Sequence, residues 1–322
     1  MAQQAGSNTV IIFDTETTFK TTPVSASAFV LPFVSESVQL KRNLISSKTL
    51  RGNRNPQAPV RGNMDVSGDI NFELSPQYGK LFKHIFGAYA VEALSPGYQH
   101  TYKIGALPAG MTIEKQFPDL AAPKYFLYNG CKVNSFKLSC KTEGMIDCSI
   151  SLIGAKETIG DTTFDAGPVD NGHTPFDGFT GSLKQGGTSL AVVTQCDLSL
   201  DNALDGNTYV IDGTGERRWL PDGQAKVTGK ITTLFEDTAL YALARAHTET
   251  TFELHFTAGA GDGSTGNEKL SFYMDEMKFQ PQAPVISGPT GLLVEVPFEA
   301  YLNIDADESA LRMILLSPLA TF

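Results

Sequence analysis

Along most of this chain, hydrophobic and polar residues alternate with the period of two that marks half-buried strands. In VSGDINFEL (66–74), Ile70, Phe72 and Leu74 share one face. The period then changes. Ser75 is placed to cap a helix and Pro76 suits its first position. Tyr78, Leu81, Phe82 and Ile85 follow at the spacing of one helical face, and Gly87 supplies a stop. The pattern predicts a strand, a cap and a short amphipathic helix over 76–86.

The same phrase is written a second time. VSGDI at 66–70 returns as VTGKI at 227–231, half a chain length later. Asp237 is then the cap, and Ala239, Leu240, Leu243 and Ala244 form the apolar stripe of a helix over 237–247. Upstream, ESVQLKRNL (36–44) and TQCDLSLDNAL (194–204) both read as half-buried strands. Each runs into a long Gly/Asn-rich loop, ISSKTLRGNRNPQAPVRGN and DGNTYVIDGTGERRWLPDG, of a length that usually has a job. Downstream, MTIEKQF (111–117) matches LSFYMDE (270–276). The alternating stretches 124–140 and 144–155 match GLLVEVPFEAYLNI and its neighbours more loosely. An internal repeat on this scale sets the domain plan. We expect a mainly β protein with two tandem β-sandwich or half-barrel domains, 1–158 and 190–322, each carrying one short helix. Residues 159–189, rich in Gly, Thr and Asp, are expected as a linker or exposed insertion.

Composition narrows the function. The chain has 322 residues and a net charge of −10, so it lacks the basic surface by which proteins grip phosphates. No apolar run reaches the roughly 20 residues that span a bilayer. The start, MAQQAGSNTV, lacks the pattern of a signal peptide, so folding in a cytoplasm is expected. Cys131, Cys140, Cys148 and Cys196 have no metal-ligand spacing and read as small buried hydrophobes. The five His are scattered, and no metal or other cofactor is expected.

One stretch suggests chemistry. TVIIFDTETTF (9–19) resembles the first motif of DnaQ-like 3′–5′ exonucleases, where a strand ends in an Asp and a Glu that hold two divalent metals; Asp14 and Glu16 would be that pair. Such a site needs further carboxylates converging on the metals. Tyr301 to Asp305 fits YxxxD, but it continues an alternating strand instead of lying on a helix, and Phe19 stands where the family has Gly. The expectation is a strand ending in exposed Asp, Thr and Glu. GAGDGSTG reads as a hairpin loop, and the acidic run DADES (305–309) as a solvated turn. No set of residues forms an enzyme site. The alternatives to a non-enzymatic reading are a metal-dependent exonuclease using Asp14 and Glu16, and a monomeric duplicated β-sandwich binding module.

Taken together, Val66–Leu74 with helix 76–86, the block Tyr128-Asn129-Gly130-Cys131-Lys132-Val133-Asn134, Leu198–Asn202, and Val227–Phe235 with helix 237–247 resemble bacteriophage tail tube proteins. The resemblance implies two tail-tube-like domains. It also implies a virion tail protein, assembled in the host cytoplasm, whose rings complete a β-barrel on oligomerisation and stack into a conduit for DNA ejection. With two domains per chain, a trimeric pseudo-hexameric ring is favoured over a hexamer of chains. The implied partners are other copies of the chain, then tape measure, terminator and baseplate or tip proteins, with DNA passing through unbound. An acidic lining would repel phosphates. Against that background Lys41, Arg42, Lys48, Arg51, Arg54 and Arg61 stand out, because no acid lies between Ser37 and Met64. They are expected to form an arm that docks on an acidic surface of the next ring. Arg217, Arg218 and Trp219, in the equivalent loop, are candidate interface anchors.

Overall fold

The computed structural model describes residues 3–24, 26–286, 288, 291–302 and 309–322. In the first half, β1 (Val10–Glu16), β2 (Phe29–Val30), β3 (Ser35–Glu36), β4 (Gln39–Ile45) and β5 (Val60–Glu73) lead to helix α1 (Gly79–Phe86). Ser75 accepts a hydrogen bond from the Gln77 amide, and Pro76 opens a 3₁₀ turn that runs into α1. Gly87 ends the helix at φ +93°, where a Cβ would lie 2.4 Å from the Gly105 carbonyl oxygen, so only glycine fits. There follow β6 (Gly87–Ala93), β7 (Tyr98–Ile104), β8 (Gly110–Phe117), β9 (Lys124–Lys141), β10 (Asp147–Gly154) and β11 (Lys156–Gly160).

The second half repeats the plan with β12 (Gly181–Gln185), β13 (Thr188–Ser189), β14 (Val193–Asp201), β15 (Lys226–Leu234), α2 (Ala239–Arg245), β16 (Thr250–Thr257), β17 (Lys269–Phe279), β18 (Leu293–Ala300) and β19 (Arg312–Ser317). Asp237 accepts from the Ala239 amide at the start of α2, as the sequence predicts. Strand pairing makes the repeat explicit. β5 pairs β10 as β15 pairs β18, with Val66 opposite Gly154 and Val227 opposite Ala300. The N-terminal part of β9 lies between β8 and β11, and that of β17 lies between β16 and β19. MTIEKQF is therefore the counterpart of β16, one strand earlier than expected. The hairpin β6–β7, inserted after α1 in the first half only, shifts the sequence count.

β9 holds the molecule together. It bends at Gly130 (φ +65°), where a Cβ would crowd Ala155 and Phe19. Before the bend it belongs to one layer, with β1, β8 and β11; beyond it, Ser135–Lys141 pair with β14 of the second half. The result is one antiparallel run in the order β4–β5–β10–β9–β14–β15–β18–β17. One face of this run buries Ile70, Phe72, Phe136, Ile150, Leu198, Ile231 and Phe298 in a core shared by both halves. The four cysteines are all buried, as their setting in alternating strands implies.

Residues 159–189, expected as a linker or exposed insertion, divide between the halves. Phe176 is 2% exposed in the common core, and the Asp165 carboxylate accepts from the Ala28 amide. β12 pairs with β16. Scattered apolar residues such as Phe164, Phe176 and Phe179, set among Gly, Thr and Asp without a period, are too weak a hydrophobic signal to reveal this packing. Of the acidic run 305–309, residues 305–308 lie outside the described residues, as does Asp305 of the YxxxD spelling. Among the described residues, no helix is long and apolar enough to cross a membrane.

Candidate assembly surfaces

Asp14 and Glu16 are buried, 6% and 2% exposed, against the expectation of an exposed strand end. Their oxygens are already engaged by the fold. Asp14 forms an ion pair with Lys80 at 2.6 Å and accepts from the Ser27 amide. Glu16 accepts from the amides of Lys20 (2.6 Å) and Gly130 (2.9 Å), the Thr112 hydroxyl (2.9 Å) and the Asn129 side chain (3.4 Å). It therefore clamps β9 at its bend. Burial raises its pKa, while these hydrogen bonds oppose the shift. Among the described residues, no three His, Cys, Asp or Glu side chains converge as metal ligands.

The face of the long sheet opposite the core is polar. Ser135, Lys137, Ser139, Ser149, Asp197, Ser199, Thr228 and Lys230 alternate with the buried positions. Some charges on this face pair with one another: Lys230 lies 3.2 Å from Glu295 and 3.9 Å from Asp197, and Lys226 lies 3.6 Å from Glu299, while Lys137 is exposed. Asp69, Glu73, Asp147 and Asp201 add to its acidic side.

The two ends of the sheet differ. At one, β4 and β5 continue past the end of β10. Val60–Asp65 extend beyond Val66, which faces the last residue of β10, so the hairpin rises by roughly 20 Å at about 3.3 Å per residue. The loop expected over 45–63 is thus shorter, because Ile45 and Val60–Asn63 are strand. Lys48, Arg51 and Arg54 sit exposed on the connecting loop, with Leu50 and Leu44 exposed beside them. Lys41 is exposed on β4, opposite Asp65. Arg42 and Arg61 are used inside the chain. Arg42 donates to the carbonyls of Gly62 (2.9 Å) and Thr214 (3.4 Å), and Arg61 to that of Gly213 (3.3 Å). At the other end, Glu143 and Asp147 in the first half and Glu236 and Asp237 in the second are exposed, beside exposed Met145, Leu234 and Phe235.

The second-half loop braces the hairpin. Gly215 accepts from the Met64 amide, Tyr209 donates to the Met64 carbonyl, and Lys20 pairs with Glu216 at 2.7 Å. Arg217, expected on a surface, is only 6% exposed. It donates to the carbonyls of Gly154 (2.7 Å) and Gly206 (2.8 Å), pairs with Asp65 at 2.5 Å and covers the Tyr209 ring. Its partners come from distant parts of the chain, which no local pattern could announce. Trp219 is 42% exposed, with its ring against Phe19 and the Lys132 ammonium over it; Arg218 is exposed. Arg217 is therefore an internal anchor, while Arg218 and half of Trp219 stay on the surface.

Residues 6–300 match a family described as phage tail tube protein. Comparison with curated proteins gives no match. Among solved structures, a chain from the cryo-EM structure of the anti-feeding prophage (AFP) baseplate, 6-fold symmetrised, aligns over 50% of this chain and 97% of its own. Its identity is 14% and the TM-score is 0.28.

Proposed function

The chain belongs to the phage tail tube protein family and is a structural tail protein; from that premise we propose that its copies close side by side into rings that stack as a hollow tube for DNA. The observation that carries this reading is the long sheet, which has an apolar core face, a polar face and outer edges that, among the described residues, no further strand closes. Such open edges are a hazard in a monomer and a means of assembly in a ring.

Geometry favours three chains over six. Eight strands per chain give 24 strands in a trimer. With strands about 4.8 Å apart and tilted about 40°, the circumference is about 150 Å and the backbone diameter about 48 Å. That exceeds the 16–18 strands with which porins already enclose an aqueous channel. Six chains would double the diameter. The polar face lines the lumen, where hydroxyls, paired charges and additional carboxylates discourage phosphate binding despite the exposed Lys137. Stacking follows from the two ends. The arm carrying Lys48, Arg51 and Arg54 docks on the acidic end of the next ring, marked by Glu143, Asp147, Glu236 and Asp237. Arg218 and Trp219 lie at the same end as the arm and form the rim of that contact. Tape measure, terminator and baseplate proteins would meet the ends of the stack.

Negative-stain electron microscopy of the purified protein over a concentration series tests the reading. Rings or tubes with a wall-to-wall backbone diameter near 48 Å and three chains per turn are expected. Small monomeric particles at every concentration and salt would overturn it.

A further inference from the structure

The chain contains one complete junction between tube domains and two further edges that, among the described residues, pair with no strand. Within the chain, β14 of the second half lies along β9 of the first, with Gln195 opposite Lys141 and Asp201 opposite Ser135. The junction buries Cys196, Leu198 and Leu200 against Cys140, Leu138 and Phe136, and Ser139 donates to Asp197 at 2.6 Å. It is not reciprocal, because each half contributes a different element.

The repeat identifies the free counterparts. β14 corresponds to β3–β4, since Gln39 faces Ser67 as Ser199 faces Thr228. Among the described pairings, β4 has a strand on one side only, β5; on the other side the Val38 amide donates to the Glu36 carboxylate and its carbonyl accepts from the Lys115 ammonium, contacts that a neighbouring strand would replace. The C-terminal part of β9 corresponds to the chain beyond β17. There the ladder with β18 runs from Met277 opposite Ala300 to Phe279 opposite Phe298, and the Gln280 amide still reaches the Pro297 carbonyl. The next residues, Pro281–Ile286, have no strand partner, and Val285 is 74% exposed. Val34, just before β3, is 67% exposed.

We propose that β3–β4 of one copy pairs with Gln280–Ile286 of the next, in the register that β14 takes on β9. This rests on the ring reading and names the surfaces that close the ring. Continuing the β17–β18 ladder puts Gln282 opposite Glu295, as Lys137 is opposite Ser149. The neighbour's Gln39 then faces Gln282, and Ser35 faces Ile286. Val285 then lies opposite Glu36 on the core side, covered by the new strand. Pro281, whose backbone faces the neighbouring copy, lacks a donor, which shortens the new ladder relative to β14 on β9 and keeps this edge from pairing indiscriminately before assembly.

The test is a thiol cross-link between exposed positions. Gln39→Cys and Gln282→Cys are combined in one chain; the four native cysteines are buried and stay in place. Assembled protein is treated with a short bis-maleimide and run on a denaturing gel. The junction predicts a ladder that ends at three chains, while each single variant remains monomeric. Gln39→Cys with Gln280→Cys or Pro284→Cys should give less product, which fixes the register. Rings or tubes visible by microscopy without a ladder from any of the three pairs would overturn the junction and leave the ring reading standing. Failure of the unmodified protein to form rings would overturn both.

Discussion

Arg217 separates an internal brace from an interface anchor. Replacing it with Met keeps most of the side-chain volume and removes the guanidinium. The ion pair with Asp65 counts for little, because that carboxylate is 46% exposed and is rehydrated on release. The buried Gly154 carbonyl and the partly buried Gly206 carbonyl lose charged donors at 2.7 and 2.8 Å. An unsatisfied buried polar group costs about 1–3 kcal/mol, so Arg217→Met should cost roughly 3 kcal/mol. The loop that braces the hairpin through Gly215 and Tyr209 should loosen with it. Urea unfolding of the unassembled subunit measures this, with exposed Arg218→Met as a control expected within about 0.5 kcal/mol of the parent. If Arg217→Met left subunit stability unchanged and removed assembly alone, Arg217 would act at an interface and the internal reading would be wrong.

Three further outcomes are expected. Arg51→Glu with Arg54→Glu should leave the fold and single rings intact but block their stacking; normal tubes from this variant would sink the docking arm. Glu16→Ala should destabilise the subunit by roughly 2–4 kcal/mol, by stranding the Gly130 and Lys20 amides and the Thr112 hydroxyl; unchanged stability with loss of a metal-dependent nuclease activity would instead favour the exonuclease. Burial, with Lys80 and Lys83 nearby, lowers the pKa of His84 from 6.5 to about 3. Below pH 6.5 the unfolded chain therefore takes up a proton that the fold does not, and stability falls as pH drops from 6.5 toward 3. His84→Gln should reduce that loss by about 3 kcal/mol at pH 4, read from denaturant midpoints at pH 7 and pH 4; an unchanged pH dependence would refute the assignment.

Much of the fold could be read from the sequence because sheets write their faces at period two. VSGDI and VTGKI fall on β5 and β15, and the capped helices follow where Ser75 and Asp237 place them. The arm was visible as a run of cations without acids. What escaped was set by distant contacts. Nothing in TVIIFDTETTF says that Asp14 and Glu16 will be buried, because Lys80 and Gly130, which hold them, come from α1 and β9. Arg217 looked like a surface cation for the same reason. The counterpart of β8 was missed because β6–β7 exists in one half only.

The differences between the halves explain why a fused pair serves better than two identical copies. One junction, β9 with β14, is intramolecular and forms at an effective concentration that separate subunits cannot match. In the proposed ring of three, three intermolecular junctions then suffice where separate domains would need six. Fusion also releases the two long loops to diverge. The first became a projecting hairpin with Arg51 and Arg54 at its tip; the second folds down and supports it through Arg217, Gly215 and Tyr209. Acids mark the opposite end of both halves, so in the proposed stack each arm would meet one of two kinds of docking site, Glu143 with Asp147 or Glu236 with Asp237. Only one choice repeats along a regular stack, and it fixes the rotation between successive rings. Averaged images of the tube should therefore keep threefold order in the arms, even where the barrel itself looks sixfold. Strict sixfold symmetry extending to the arms would mean that six chains, not three, make the ring.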